Sequence, residues 1–373
     1  MNPDQNLTYA NRMDRVRAAM SSQDIEVLLL SVGAELPWLI GYQAMPLERL
    51  TMLVLPVDGE ATLVIPRLEA ARVTERGDVF TLAPWNETDD PIAMVGDLTG
   101  KASTVAIGDL TWSRFLLALQ HQSPTIDFSP ANQVIGELRA KKDPFEIEAL
   151  REASAAVDRI AAELQAGNID LVGRTEAEVS AELGRRILAE GHDRVNFAIV
   201  AAGTNAASPH HEPGSRVIRE GEILLCDFGG TMGTESGTGY CSDITRCVHL
   251  GEPPAQVREA YDVLFEAQAA SVAAATVGTP LEDIDAAGRS VIEAAGYGEY
   301  FVHRTGHGIG VEAHEDPYVV SGNTDLLEAG HAFSVEPGIY IEGQFGMRLE
   351  DIVVATDAGP DPLNLVHHHL AVI

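Results

Sequence analysis

Two stretches of this sequence share one pattern, in which a glycine leads into an apolar run that closes on a carboxylate: Gly221-Glu-Ile-Leu-Leu-Cys-Asp227 and Gly330-His-Ala-Phe-Ser-Val-Glu336. A second acid follows each, Asp243 in Ser-Asp-Ile-Thr-Arg and Glu350 in Arg-Leu-Glu-Asp. Burying an ionised carboxylate in apolar surroundings is costly unless a partner neutralises it. Four converging acids also repel one another, and these motifs carry too few basic residues to balance them. Bound cations resolve the conflict. An oxygen-rich donor set suits hard or borderline divalent ions, and two ions that share bridging carboxylates typically lie about 3.5–4 Å apart. His307 completes the set; it lies in His303-Arg-Thr-Gly-His-Gly-Ile-Gly, where flanking glycines leave room for close approach of backbone and metal. Taken singly, each residue has a plainer explanation. Asp227 could cap a turn, Asp243 or Glu350 could pair with Arg246 or Arg348, and His307 could be a satisfied loop histidine. The duplicated spacing is what selects the metal site.

The elements that must position these residues also come in two copies. Gly173-Arg-Thr-Glu-Ala-Glu-Val starts one helix, with Thr175 and Glu178 as a capping box, and the helix stops near Gly191. Gly278-Thr-Pro-Leu-Glu-Asp-Ile starts the other with Thr279, Pro280 and Glu282, and that helix stops near Gly296. A strand-like run follows each, residues 195–201 and 300–303. Each run then enters a histidine-bearing loop, with His210 and His211 in one copy and His307 and His314 in the other. Two such halves are expected to face each other across a shared cleft.

Upstream, residues 27–31, 51–56, 61–66 and 104–107 read as buried strands. Residues 11–21 and 113–120 read as helices, so this part is a small α/β domain. A boundary falls near Arg139-Ala-Lys-Lys-Asp-Pro-Phe-Glu-Ile-Glu. There Asp143 is the expected N-cap, Pro144 the first helical position and Glu146 the partner in a capping box. The spacing therefore predicts domains over 1–137 and 138–373.

Composition narrows the function classes. The 373 residues carry a formal net charge of −31, a field that repels phosphate backbones and anionic lipid, and no basic patch offsets it. Neither a nucleic-acid nor a membrane partner is expected. No apolar run approaches the roughly 20 residues of a membrane span, and the polar start lacks a signal peptide's apolar core, so a cytoplasmic location is expected. Cys226, Cys241 and Cys247 lack zinc-knuckle spacing and read as reduced packing residues. The glycine-rich stretch 229–239 lacks the Lys-Ser/Thr ending of a phosphate loop. The run His367-His-His reads as a solvated surface feature.

On these motifs the sequence resembles the pita-bread-fold family that includes prolidase, aminopeptidase P, methionine aminopeptidase and creatinase. Leu-Leu-Cys-Asp-Phe-Gly, Ser-Asp-Ile-Thr-Arg, His-Arg-Thr-Gly-His-Gly-Ile-Gly, Ser-Val-Glu-Pro-Gly-Ile-Tyr and Arg-Leu-Glu-Asp match in order. The preceding domain is similar to that of the prolidase, aminopeptidase P and creatinase branch. The resemblance implies an α+β architecture: a pita-bread catalytic domain with an internal pseudo-twofold repeat, preceded by a smaller α/β creatinase-like domain. It also implies that Asp227 chelates one metal, that Asp243 and Glu350 bridge both, and that His307 and Glu336 hold the other. By the same resemblance His210 and His314 are substrate and oxyanion partners, and His303 and Tyr340 are secondary site residues. Arg348 would either anchor a substrate carboxylate or orient Glu350.

The implied chemistry is hydrolysis of the Xaa-Pro bond of dipeptides, with a hydroxide shared by two cations as nucleophile and Glu336 passing its proton to the leaving nitrogen. Manganese is the first expectation for the metal, with cobalt, zinc and iron compatible. A small peptide substrate and a homodimer complete the expectation. Three alternatives stand beside it: aminopeptidase P action on longer peptides, a hydrolase or lyase of a small non-peptide metabolite, and a non-catalytic binding protein. One departure from the family bears on specificity. The segment between Asp227 and Asp243 is several residues longer than usual, so Thr231–Gly239 is expected to extend a hairpin that would alter substrate choice if it leaned over the cleft.

Overall fold

The computed structural model describes residues 3–373. They divide into two compact units, one of Met1–Arg139 with Glu235–Gly239 and one of Ala140–Thr234 with Tyr240–Ile373.

The first unit is a mixed six-stranded sheet. Its strands, in spatial order, are Thr81–Trp85, Thr62–Pro66, Met52–Pro56, Val27–Leu30, Thr104–Ile107 and Asp127–Pro130. Val27, Leu29, Met52, Val54, Val64 and Val105 form its core with Phe115 and Leu119 of the helix Ser113–Gln122. The two outermost strands do not read as strands in the sequence. Thr81–Trp85 contains Pro84, Asp127–Pro130 ends in proline, and both lie at sheet edges, where proline costs no ladder bond. Within this unit Thr238 Oγ1 donates to the Pro37 carbonyl and lies 2.9 Å from the Tyr9 hydroxyl.

The second unit is built from two five-stranded sheets and four long helices. The helix Pro144–Gln165 starts at Asp143, whose carboxylate accepts from Phe145 N and Glu146 N while Glu146 closes the capping box. Leu150, Ala153, Val157, Ile160 and Leu164 recur at helical spacing and are all buried. The helices Glu176–Ala189 and Leu281–Ala294 are both 14 residues long, which reflects the internal repeat. Thr175 and Glu178 form the expected box at the first, whereas Pro280 caps the second without a side-chain bond.

One sheet runs in the order Ala371–Val372, Ile244–His249, Ile223–Met232, Arg194–Ala202, with Tyr240–Cys241 returning against Ile223–Met232. The other runs Glu315–Val319, Gly306–Gly308, Ala332–Val335, Asp351–Thr356, Gly359–Pro362. Alternation sorts the central strand of the first sheet. Leu224, Cys226 and Phe228 pack toward Val157, Val179 and Leu183, and Leu225 packs with Cys247, Ile339 and Met347 on the other face. Asp227 falls on the Leu225 face, in register with Ile199 and Thr245 on its two neighbours. The three cysteines are buried and unpaired, as the sequence indicated.

Two expectations change. Asp227 does not end its strand; pairing continues to Met232 because Gly229 and Gly230 allow the neighbouring backbones in, and a Cβ at Gly229 would lie 2.0 Å from the Ser242 carbonyl. Residues 300–303 form no strand. The carbonyls of Phe301 and His303 accept from Arg289 instead, and Arg289 is itself held by Asp285, so the segment is fastened by a side chain rather than a ladder.

Candidate active site

Strands of the two sheets, the loops that follow them and the hairpin Gly338–Ile341/Phe345–Arg348 line a cavity of about 800 Å³ in the second unit. Its lining includes Asp227, Asp243, His307, Glu336 and Glu350, all five of the residues singled out as ligands. Ligand atoms of Asp243, His307 and Glu350 lie within 4.8 Å of one another, and all three residues are buried. His307 Nε2 is 3.1 Å from Glu336 Oε1 and 4.0 Å from Asp243 Oδ2.

Three of the five side chains, those of His307, Glu336 and Glu350, are each aimed by an identifiable neighbour. The Nδ1 of His307 lies 3.1 Å from its own following carbonyl, Gly308 O, a contact that fixes the ring and turns Nε2 toward the acids. Ser334, two residues before Glu336 on the same face, accepts from His307 N and donates to Glu336 Oε1. Thr245 donates its hydroxyl to Glu350 Oε2 at 2.7 Å, and Arg246 fixes the Glu350 carbonyl at 2.6 Å. Thr245 and Ser334 were not foreseen. The one available signal was a small hydroxyl residue two positions from a ligand along a strand.

The electrostatics show why protein groups alone do not satisfy these acids. Burial pushes the carboxyl of Asp243 well above the usual range, and Glu350 and Asp227 push it further. Glu350 is raised by burial and then by Glu336 and Asp227. Asp227 is raised by burial despite its 2.5 Å contact with Arg348 Nη2. Glu336 goes the other way: burial raises it, but the His307 hydrogen bond and the His307 and Arg348 charges outweigh that and bring it to about 2. Oδ1 of Asp227 and Oδ1 of Asp243 are buried without a hydrogen-bond partner. Four carboxylates, two of them with an orphaned oxygen, and one imidazole fit a pair of divalent cations.

The remaining candidates lie around this cluster. His314 lines the cavity with its ring 3.9 Å from that of His307, and burial followed by the His307 charge lowers it to about 4, so it is neutral near pH 7. His210 lines the same cavity and is exposed. Arg348 donates to Tyr340 at 2.8 Å, and the Tyr340 hydroxyl lies 2.9 Å from His303 Nε2, whose Nδ1 bonds the Arg304 carbonyl at 2.7 Å. This orders a chain in which Arg348 donates to Tyr340 and Tyr340 donates to His303. Burial lowers His303. Phe197, Ile199 and Val302 supply apolar wall. Among the described residues of the second unit, none of 231–234 lines the cavity. His368 departs from the surface reading: its Nε2 is 2.6 Å from the buried Asp351, while His367 and His369 are exposed.

A duplicated sheet-and-helix repeat around a buried acid cluster, preceded in the chain by a small mixed α/β unit, defines a class of dinuclear metallopeptidases. The chain belongs to metallopeptidase family M24, whose model matches residues 148–357, and residues 12–141 match the creatinase/prolidase N-terminal domain. Its structure is similar to the crystal structure of dipeptidase PepE from Mycobacterium ulcerans, with a TM-score of 0.92, 41% identity, and 99% of this chain and 98% of that one covered. Recombinant prolidase from Thermococcus sibiricus matches with a TM-score of 0.91 at 33% identity, covering 98% of this chain and 99% of that one. An Xaa-Pro dipeptidase from Bacillus anthracis matches with a TM-score of 0.87 at 29% identity over 98% of this chain and 100% of that one. No helix among the described residues is long and apolar enough to cross a membrane.

Proposed function

We propose that this metallopeptidase is an Xaa-Pro dipeptidase, with Asp227, Asp243, His307, Glu336 and Glu350 holding two divalent ions. The observation that carries this reading is the buried cluster of Asp243, His307 and Glu350 beside two orphaned carboxylate oxygens, on the wall of a cavity with room for a small peptide. A pair of divalent cations supplies Lewis-acid polarisation of a carbonyl and activation of water near neutral pH. The protein groups do the rest. Glu336, tied to Ser334 and His307, is placed to take a proton from water and return it to the leaving nitrogen. Neutral His314, or His210 at the mouth, donates N–H to the developing oxyanion. Arg348, Tyr340 and His303 form the hydrogen-bonded wall beside the substrate, and Phe197, Ile199 and Val302 receive its apolar parts.

Manganese is our first choice of metal because the donor set is four carboxylates and one imidazole. Three unpaired cysteines suit a reducing cytosol. A homodimer is part of the proposal and is checked by sedimentation. The deciding experiment presents manganese- or cobalt-loaded protein with an Xaa-Pro dipeptide, an Xaa-Pro tripeptide and Xaa-Ala controls. Cleavage confined to the Xaa-Pro dipeptide supports the reading, preference for the tripeptide points to aminopeptidase P action, and no cleavage of any of them overturns it.

A further inference from the structure

A dipeptide differs from a longer peptide by a free carboxylate one residue beyond the scissile bond. In a cavity lined by Asp227, Asp243, Glu336 and Glu350 that anion needs a cation of its own. Two arginines are among the residues that line the cavity, Arg348 and Arg304.

Arg348 is already committed. It is buried, and it donates to Asp227 Oδ2, to the Tyr340 hydroxyl, to Thr245 Oγ1 at 3.1 Å and to the Pro209 carbonyl at 3.3 Å. Turning it toward a ligand would break these four bonds inside a buried site.

Arg304 is in the opposite condition. It is partly exposed, and among the described residues its guanidinium has no hydrogen-bond or ion-pair partner. Its central carbon sits 4.3 Å from the centroid of the Tyr318 ring. Contact through the face fixes the plane of the group and leaves its N–H edges open for a bidentate carboxylate. Its backbone is held as well. His303 Nδ1 donates to the Arg304 carbonyl, Arg289 donates to the His303 carbonyl, and Thr305 N donates to Asp285. Arg304 therefore stands on a fastened segment three residues before His307.

We propose that Arg304 receives the C-terminal carboxylate of the dipeptide and so selects dipeptides over longer chains. This rests on the dipeptidase reading above. The test compares kcat/KM for an Xaa-Pro dipeptide and for its C-terminal amide in the manganese-loaded wild type, Arg304→Met and Arg304→Lys. The wild type is expected to favour the free acid. Arg304→Met, which keeps the apolar stem, should lower the acid-to-amide ratio about ten- to a hundredfold, as loss of hydrogen bonds to a charged group requires. Arg304→Lys should fall between the two, because it keeps the charge and loses the fork. A wild type that cleaves the dipeptide with no preference for the acid, or an Arg304→Met ratio equal to wild type, overturns the role of Arg304 and leaves the dipeptidase reading standing. Failure of the wild type on both substrates overturns that reading and this inference with it.

Discussion

Arg246→Met is the substitution whose cost can be worked out most fully. Arg246 is wholly buried, pairs with Asp351 Oδ1 at 2.8 Å and donates to three carbonyls, those of Thr245, Glu350 and Val366. Asp351 is held low because His368 and Arg246 outweigh its burial, and Gln268 adds a bond at 3.0 Å. Methionine would leave that carboxylate with only His368 and Gln268 and would take a donor from the Glu350 and Val366 carbonyls, while the Thr245 carbonyl keeps the Glu350 N–H. Breaking one side of a buried pair costs about 3–5 kcal/mol. For a unit of this size each kcal/mol lowers the melting midpoint by about 2–4 °C, so the expected drop is about 6–20 °C by scanning calorimetry. The double variant Arg246→Met/Asp351→Leu removes the stranded charge and should recover a large part of the loss, giving a coupling above about 1 kcal/mol. Because Arg246 also fixes the Glu350 carbonyl, the single variant should bind manganese more weakly in chelator competition. A midpoint within about 2 °C of wild type, or single losses that simply add in the double variant, would refute the reasoning.

Further outcomes follow from other parts of the second unit. Burial, followed by the charge of Lys142, lowers His331 to about 4, below its unfolded value of about 6.5, so its neutral form stabilises the fold fully above that value and the benefit fades as pH falls toward 4. Between pH 6.5 and 5 wild type should lose about 1.5 kcal/mol more than His331→Gln, as read from urea midpoints at both pH values; parallel losses would show that His331 does not carry the effect. At Gly306 a Cβ would lie 1.8 Å from the Ser334 carbonyl, so Gly306→Ala should cost more than about 2 kcal/mol, and an unchanged denaturation midpoint would show that the two strands can move apart. Glu336→Gln should lower kcat at least about a hundredfold with metal bound, and near-normal turnover would remove Glu336 from proton transfer.

The acids were legible because a carboxylate inside an apolar run is physically expensive, and finding the same spacing at Asp227 and Glu336 left few explanations. Helix starts were legible for a similar reason, since the boxes at Asp143 and Thr175 are local chemistry. What could not be read depends on residues far apart in the chain. The contact of Arg348 with Asp227 spans 121 positions and that of Thr245 with Glu350 spans 105, and neither follows from local pattern. Edge strands such as Asp127–Pro130 are half-solvated and carry proline, so periodicity is weak there. Residues 300–303 looked like a strand by composition, but Arg289 had taken the carbonyls that a strand would use. His368 looked like surface, and its link to Asp351 becomes visible only once the chain end is placed.

The metal content of the protein, measured by atomic emission after manganese loading and exhaustive dialysis, tests the core of this account most directly. Two ions per wild-type chain are expected, with marked loss in Asp243→Ala and in His307→Ala. A wild type that retains none, or variants that retain the same two, would contradict it.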